Sequence, residues 1–207
     1  MVRTTKHPFL IRDDAEMKLA NRIIAWQRAH GRHDLPWQNT HDPYRIWLSE
    51  IMLQQTQVSA VIEYYQRFLR HFPTIASLAA ASSESVMAQW AGLGYYARAR
   101  NLHACAQRIM KDWNGIFPSD ANGLATLPGI GPSTAAAIAA FCYGERAAIM
   151  DGNVKRVFAR YFAIEGDPTQ RATELQLWQR AYVELPSVKT CVNDPLAMAR
   201  YTQGQMD

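Results

Sequence analysis

The sequence predicts an all-α fold, and three observations lead to this prediction. Apolar residues recur at three- and four-residue intervals along most of the chain, which is the spacing of amphipathic helices. The alternation typical of β-strands is nearly absent. The chain has 207 residues, of which 48% are hydrophobic, so it is large and apolar enough to bury a core.

Four helices are predicted before residue 100. The first ends near Gly31, and the second begins at Asp42 and Pro43, an acidic cap followed by proline in the first turn. The third extends to Phe72 and Pro73, and the fourth is short. The apolar residues that predict the first, third and fourth helices are Leu19, Ile23, Ile24 and Trp26; Val58, Val61, Ile62, Tyr65, Phe68 and Leu69; and Val86, Met87 and Trp90.

Two further apolar stripes predict helices in the second half of the chain. One ends at Gly115, and the other covers the region around residues 154–161. The stripes consist of Leu102, Cys105, Ala106, Ile109, Met110 and Trp113, and of Val154, Val157, Phe158 and Tyr161.

Residues 127–134 read Leu-Pro-Gly-Ile-Gly-Pro-Ser-Thr and predict a helix, a tight glycine hairpin and a second helix. Gly129 and Gly131 allow unusual backbone angles and close approach of a ligand, and Pro132 suits the first turn of the second helix. Free amides at that helix start favour a phosphate. A dinucleotide fold also uses Gly-x-Gly but requires a preceding strand, whereas residues 122–126 predict a short helix or turn.

Two carboxylates are candidates for acid catalysis. Glu50 lies three residues from both Trp47 and Leu53, so it shares their apolar face, where lost hydration favours the neutral acid. Asp151 precedes a helix start, which favours the anion. Opposed environments of this kind suit cleavage of a glycosidic bond through an oxocarbenium-like transition state. Alternatively, Glu50 pairs with Arg45 in solvent, and Asp151 is only a helix cap.

Two neighbouring segments add polar and aromatic groups. Residues 54–57 (Gln-Gln-Thr-Gln) interrupt the apolar pattern directly after the second helix. Residues 92–100 combine two tyrosines with Arg98 and Arg100 on a glycine-containing turn. Such side chains can fill the gap left by a flipped base while the arginines contact phosphate, although a loop tyrosine can equally pack on the core.

The whole-chain composition restricts the class of protein. A net charge of +4 is compatible with a nucleic-acid partner. No apolar run is long enough to span a membrane, and the first residues lead into no secretory signal. Cys105, Cys142 and Cys191 are scattered and odd in number, as expected of reduced cytosolic thiols, and no metal site is predicted. We therefore expect a cytoplasmic, nucleoid-associated protein.

The motifs described above together resemble adenine DNA glycosylases of the MutY type, in the helix-hairpin-helix (endonuclease III-like) superfamily. The resemblance is carried by residues 35–37, 47–58, 92–96, 127–134 and 151–157 and extends from about residue 24 to the C-terminus. It implies two helical subdomains flanking a catalytic cleft: residues 42–150 with the hairpin, and residues 1–41 together with 151–207. It also implies a monomer that removes adenine mispaired with 8-oxoguanine or guanine in double-stranded DNA.

The resemblance also implies roles for individual residues. Glu50 matches the acid that protonates adenine at N7, Asp151 the carboxylate that stabilises the sugar cation, and Asn153 an asparagine that orients groups around the sugar. The residues expected to contact DNA are Gln55 and Tyr95, which match wedging residues, Thr56 beside them, Gly129 and Gly131 of the hairpin, and Ser133.

Ser133 and the cysteines distinguish this chain within the superfamily. Relatives that also cut the DNA backbone carry a nucleophilic lysine where this chain has Ser133, so weak lyase activity is expected. The family uses a [4Fe–4S] cluster and usually a further recognition domain; the chain ends before the four cysteine ligands, so we expect a truncated sequence that binds no cluster.

Two other functions fit the same residues. The first is a non-catalytic DNA-binding module, which the intact hairpin favours and which would bind DNA without releasing a base. The second is a bifunctional glycosylase and lyase for oxidised pyrimidines. Lys155, close to Asp151 in sequence, could form adventitious adducts, but the family does not need it.

Overall fold

The computed structural model describes residues 18–207, and these residues form twelve helices without a strand. The predicted all-α class is therefore confirmed for the described part of the chain. Residues 1–17 of the second predicted subdomain lie outside it. The helices are α1 Leu19–His30, α2 Pro43–Leu53, α3 Val58–His71, α4 Ile75–Ala80, α5 Ser83–Trp90, α6 Ala97–Asp112, α7 Ala121–Ala125, α8 Pro132–Tyr143, α9 Gly152–Tyr161, α10 Arg171–Val183, α11 Val188–Asn193 and α12 Ala197–Met206.

The helix starts follow the signals in the sequence. Pro43 is the first residue of α2, and the Asp42 carboxylate accepts a hydrogen bond from the Tyr44 amide at 2.9 Å. Helix α4 was not predicted, because it is only one and a half turns long; it begins with a reciprocal capping box between Thr74 and Ser77. Helix α10 was not predicted either, since much of its apolar surface, including Leu175, is exposed.

The helices enclose two hydrophobic cores. The first core is built mainly from residues of the helices α2 to α8 and contains eight buried aromatic side chains; the second joins α1 to α9, α10 and α12. The largest fully buried residues of the first core are Trp47, Trp90, Tyr65, Phe68, Leu48 and Met52. The second core is centred on Phe158, Tyr201, Leu177, Val154 and Met198.

Helix α8 lies between the two cores and contributes to both. Its residues 135–140 are all buried, which is expected of a helix that is apolar on every side. Ala135, Ile138 and Ala139 pack into the first core. The alternate face, formed by Ala136, Ala137 and Ala140, packs into the second core. Because five of these six side chains are methyl groups, neighbouring helices can approach closely on both sides.

The subdomain boundaries at residues 42 and 150 stay a prediction. In the packing, Leu35 and Trp37 belong to the first core although they precede residue 42. Residues 148–150 belong to the second core although they precede residue 151. Within residues 18–207, no helix is both long enough and apolar enough to cross a bilayer.

Candidate active site

A cleft of about 430 Å³ lies where the two cores meet, and both candidate carboxylates line it. Glu50 reaches it from α2, and Asp151 from the segment between α8 and α9. The other polar residues around the cleft are Arg32, Gln54, Gln55, Thr56, Ser133, Thr134, Asn153 and Gln203. The fold therefore brings together two acids that are about a hundred residues apart in the sequence.

Glu50 is held on a largely apolar helix. Its neighbours in α2, including Leu48 and Ile51, are buried, while the Glu50 side chain is partly buried. Burial raises the pKa of the Glu50 carboxyl to about 7, and the negative charge of Asp151 adds to this increase. Arg45 does not neutralise it, since its Nε lies 3.6 Å from Oδ2 of Asp42. The expected desolvation of Glu50 is confirmed, and the alternative pairing with Arg45 is wrong.

Asp151 has a capping role and also lines the cleft. Its Oδ1 accepts a hydrogen bond from the Val154 amide at 2.8 Å, so it is the N-cap of α9. The preceding amide, that of Met150, donates to Oγ of Ser133 at 2.9 Å. Ser133 lies in the first turn of α8, so the carboxylate is fixed from both sides. The capping interpretation is correct but incomplete, because the remaining carboxylate oxygen makes no hydrogen bond within the described residues.

Asn153 lines the same cleft from the first turn of α9. Its Oδ1 accepts a hydrogen bond from Nη2 of Arg156 at 2.6 Å, which leaves the amide NH₂ group to donate. The position is compatible with a group that orients a sugar beside Asp151, and that role stays a prediction.

The hairpin has two glycines with different structural requirements. Gly129 adopts φ of +76°, and a Cβ at this position would lie 2.7 Å from Cβ of Asn101, so the fold itself requires glycine. Gly131 is the N-cap of α8 with φ of −79°, and a Cβ there would meet no atom within 4 Å. The fold does not require glycine at position 131, which is consistent with close approach of an external group to the backbone.

Gln55 and Tyr95 are the exposed tips of two turns beside the cleft. We call residues 54–57 the glutamine turn and residues 92–96 the tyrosine turn. Gln55 has φ of 57° and Tyr95 φ of 50°, a left-handed conformation that is uncommon for non-glycine residues and often marks functional positions. Tyr95 is 61% exposed, so the alternative that it packs on the core is wrong. Their contact with DNA stays a prediction.

Thr56 and Arg98 interact with each other rather than facing solvent. Nη2 of Arg98 donates to Oγ1 of Thr56 at 2.9 Å, and Nη1 donates to carbonyl oxygens at the end of α2. The expectation that Arg98 contacts phosphate is therefore wrong, because its guanidinium points into the protein. Arg100, two residues further along α6, is exposed.

No described residue offers a lysine amine beside Asp151. Position 133 carries a hydroxyl, and Nζ of Lys155 donates to Oε1 of Glu174 on α10 at 2.6 Å. The cysteines do not fit a [4Fe–4S] cluster either. Cys105 is fully buried in the first core, and residues 18–207 contain no group of three or more potential metal ligands.

Three other residues line the cleft to which the sequence analysis gave no role, although Trp37 belongs to the motif at residues 35–37. Trp37 and Arg32 come from the segment after α1, and Gln203 comes from α12. These three, with Glu50, also border an adjoining cavity of about 470 Å³. Gln203 gave no signal, since a glutamine in a helical segment is unremarkable until the fold brings it to the cleft.

Comparison with known proteins assigns the chain to a family. Residues 48–181 match the HhH-GPD superfamily of base excision DNA repair proteins. Adenine DNA glycosylase from Buchnera aphidicola subsp. Baizongia pistaciae is 45% identical over 157 residues, which cover 76% of this chain and 44% of that protein. The human adenine DNA glycosylase is 41% identical over 179 residues, covering 82% of this chain and 33% of that protein. The chain thus spans half or less of the length of these relatives.

Solved structures show the same fold. A thermostable thymine-DNA glycosylase superposes with a TM-score of 0.77 at 26% identity, covering 91% of this chain and 82% of that one. An endonuclease III–DNA complex superposes with a TM-score of 0.69 at 18% identity, covering 88% of this chain and 80% of that one.

The helical fold is therefore the one seen in these solved structures, and it carries the hairpin and a cleft lined by two carboxylates. The chain belongs to the HhH-GPD superfamily of base excision DNA repair proteins. The expected superfamily and fold are confirmed.

Proposed function

We propose that this chain forms the catalytic part of a DNA glycosylase that removes adenine mispaired with 8-oxoguanine or guanine. The observation that supports it best is the pair of carboxylates in one cleft, of which Glu50 has a pKa raised to about 7. We propose adenine as the excised base because the chain is similar to adenine DNA glycosylases.

Glu50 acts as the general acid in this proposal. A carboxyl with a pKa of about 7 is protonated in a large fraction of molecules at neutral pH and can donate to N7 of an extruded adenine. Protonation weakens the bond between C1′ and the base, and the bonding electron pair leaves with the adenine. Water then adds to C1′, and one of its protons returns to the Glu50 carboxylate.

Asp151 stabilises the positive charge that develops on the sugar as the base departs. Its ordered position suits this electrostatic role, because the cap to Val154 and the Ser133 hydroxyl hold the segment before the transition state forms. Asn153 is the adjacent group proposed to orient the sugar. Catalysis then depends on two acids in one cleft with different roles, Glu50 donating a proton to the base and Asp151 facing the sugar.

DNA is held outside the cleft in this proposal. The backbone at Gly131 and the first turn of α8 receive a phosphate, which fits the open space where a side chain would otherwise stand. Gln55 and Tyr95 enter the duplex where the adenine has left the stack, with Thr56 supporting the first of them. We further propose that the protein acts as a monomer in the cytoplasm, on the nucleoid.

The test is a single-turnover assay with the 207-residue chain on duplexes that carry adenine opposite 8-oxoguanine, guanine or thymine. We expect an alkali-labile site at the adenine of the two mispairs and little cleavage of the adenine–thymine pair. Glu50→Gln and Asp151→Asn should abolish product but retain duplex binding. Glu63→Gln, which removes an exposed carboxylate from α3, is the control for lost charge.

Each alternative has its own outcome in this assay. Salt-dependent duplex binding without any release of adenine would identify a DNA-binding module instead. A borohydride-trapped protein–DNA adduct as abundant as base release would indicate a lyase. Serine at position 133 and the bonded Lys155 ammonium argue against the second outcome.

A further inference from the structure

The Arg98 side chain is a point where two separate turns of the chain meet. Arg98 lies in the first turn of α6, immediately after the tyrosine turn. Nη1 donates to the carbonyl oxygens of Ile51 at 2.9 Å, Met52 at 2.7 Å and Gln54 at 2.6 Å. These carbonyls belong to the end of α2 and the start of the glutamine turn.

Nη2 of the same guanidinium extends the connection to the tyrosine turn. It donates to Oγ1 of Thr56 at 2.9 Å and lies 3.5 Å and 3.4 Å from the carbonyl oxygens of Leu93 and Gly94. The guanidinium carbon also lies 5.5 Å from the centroid of the Tyr95 ring. One cation therefore contacts both turns.

We propose that Arg98 is a positioning residue that couples the two wedge-bearing turns to the helix that carries Glu50. This inference rests on the proposed glycosylase function. Gln55 and Tyr95 are exposed and both adopt left-handed backbone angles, which persist only where surrounding contacts fix them. Arg98 supplies those contacts on both sides, so the two side chains enter the duplex as one unit.

The geometry requires a guanidinium. Arginine has a rigid planar fork with two terminal nitrogens: Nη1 faces the end of α2 and the glutamine turn, and Nη2 lies between Thr56 and the carbonyls of the tyrosine turn. Lysine has a single nitrogen and cannot make both sets of contacts. The last carbonyls of α2 also have no intrahelical partner, and a cation there is favourable to the helix dipole. The contact thereby fixes the end of α2 only one residue beyond Glu50.

The test compares Arg98→Met and Arg98→Lys with a matched control, Arg67→Met. Arg67 donates to the Gln89 carbonyl at 2.9 Å and lies 4.5 Å from the Tyr64 ring centroid, but it contacts neither turn. Two measurements are made: amide hydrogen exchange of the free protein, and the single-turnover rate constant of base release per active molecule.

In Arg98→Met we expect faster exchange in residues 53–57 and 92–96 together, with the hairpin at 129–134 unchanged. Because misplacement by about 1 Å can cost roughly 100-fold in rate, we expect a rate constant lower by roughly that factor. Arg98→Lys should recover only part of the lost rate constant. Arg67→Met should keep the wild-type rate constant even if its melting temperature falls.

Three results would overturn the proposal: faster exchange in only one turn, a wild-type rate constant per active Arg98→Met molecule, or the same rate loss in Arg67→Met. If the wild-type chain releases no base, the proposed function fails. Hydrogen exchange of the free protein still decides whether Arg98 couples the two turns.

Discussion

The protonation of Glu50 can be tested through stability, without any substrate. The structure gives this carboxyl a pKa of about 7, against an ordinary value of 4.5. In the unfolded chain it ionises near the ordinary value. Between the two values the folded state binds more protons than the unfolded state, so the free energy of unfolding decreases as pH rises.

The size of this pH-dependent change in stability follows from the pKa shift of Glu50. The stabilisation is fully present below pH 4.5 and is lost as pH rises through the folded-state value of about 7. At about 1.4 kcal/mol per pKa unit, the loss reaches at most about 3 kcal/mol. Glu50→Gln keeps the shape of the side chain but cannot ionise, so the variant lacks this loss.

The assay is urea unfolding of wild type and Glu50→Gln at intervals from pH 4.5 to pH 8. The difference in unfolding free energy should shift by about 3 kcal/mol in favour of the variant and level off above pH 7. Glu63→Gln, which removes an exposed carboxylate, should not reproduce this shift. A pH-independent difference between wild type and Glu50→Gln would refute the desolvated state of Glu50.

Four further predictions concern the cleft and the hairpin. The base-release rate should fall as pH rises above about 7, because Glu50 loses the proton that it donates; a rate that keeps rising to pH 9 would contradict its role as acid. Gly129→Ala should lower the unfolding free energy by about 2 kcal/mol or more, since it combines a positive φ with steric overlap. Gly131→Ala should lower the unfolding free energy by less than about 1 kcal/mol but weaken duplex binding. Equal effects of Gly129→Ala and Gly131→Ala on stability and on duplex binding would argue against a phosphate site at Gly131. Ser133→Ala leaves the Met150 amide without its partner, so we expect a loss of about 1 kcal/mol in urea unfolding and slower base release; wild-type stability in this variant would contradict the role of the hydrogen bond.

Much of the fold was predictable because its signals are local. The acid and proline at residues 42–43 and the glycine hairpin act within a few residues of themselves, and the structure has helices where they indicate. Glu50 was recognisable from its spacing to Trp47 and Leu53, because a helix periodicity specifies which face a side chain shares. Helix α10 lacked such a signal, since its buried positions include the polar Thr173.

The direction of Arg98 could not be predicted in the same way. An arginine beside tyrosines on a turn has the same composition whether it faces DNA or the protein. Its partners, the carbonyls of residues 51–54, are more than forty positions away in the sequence and only become neighbours through folding. The cleft residue Gln203 was hidden for the same reason.

The alanine-rich α8 has a consequence for the width of the catalytic opening. Glu50 is on α2, which packs against α8, and the segment that leads to Asp151 is hydrogen-bonded to Ser133 in the first turn of α8. The width of the gap between the two acids therefore depends on the alanine side chains of α8, each of which is a single methyl group. Ala139 belongs to the first core together with Trp47 and Ile51 of α2, whereas Ala136 belongs to the second core together with Met150, which precedes Asp151. A larger side chain at either position should therefore move the two carboxylates apart, and α8 can accept little added bulk if the cleft is to keep its width.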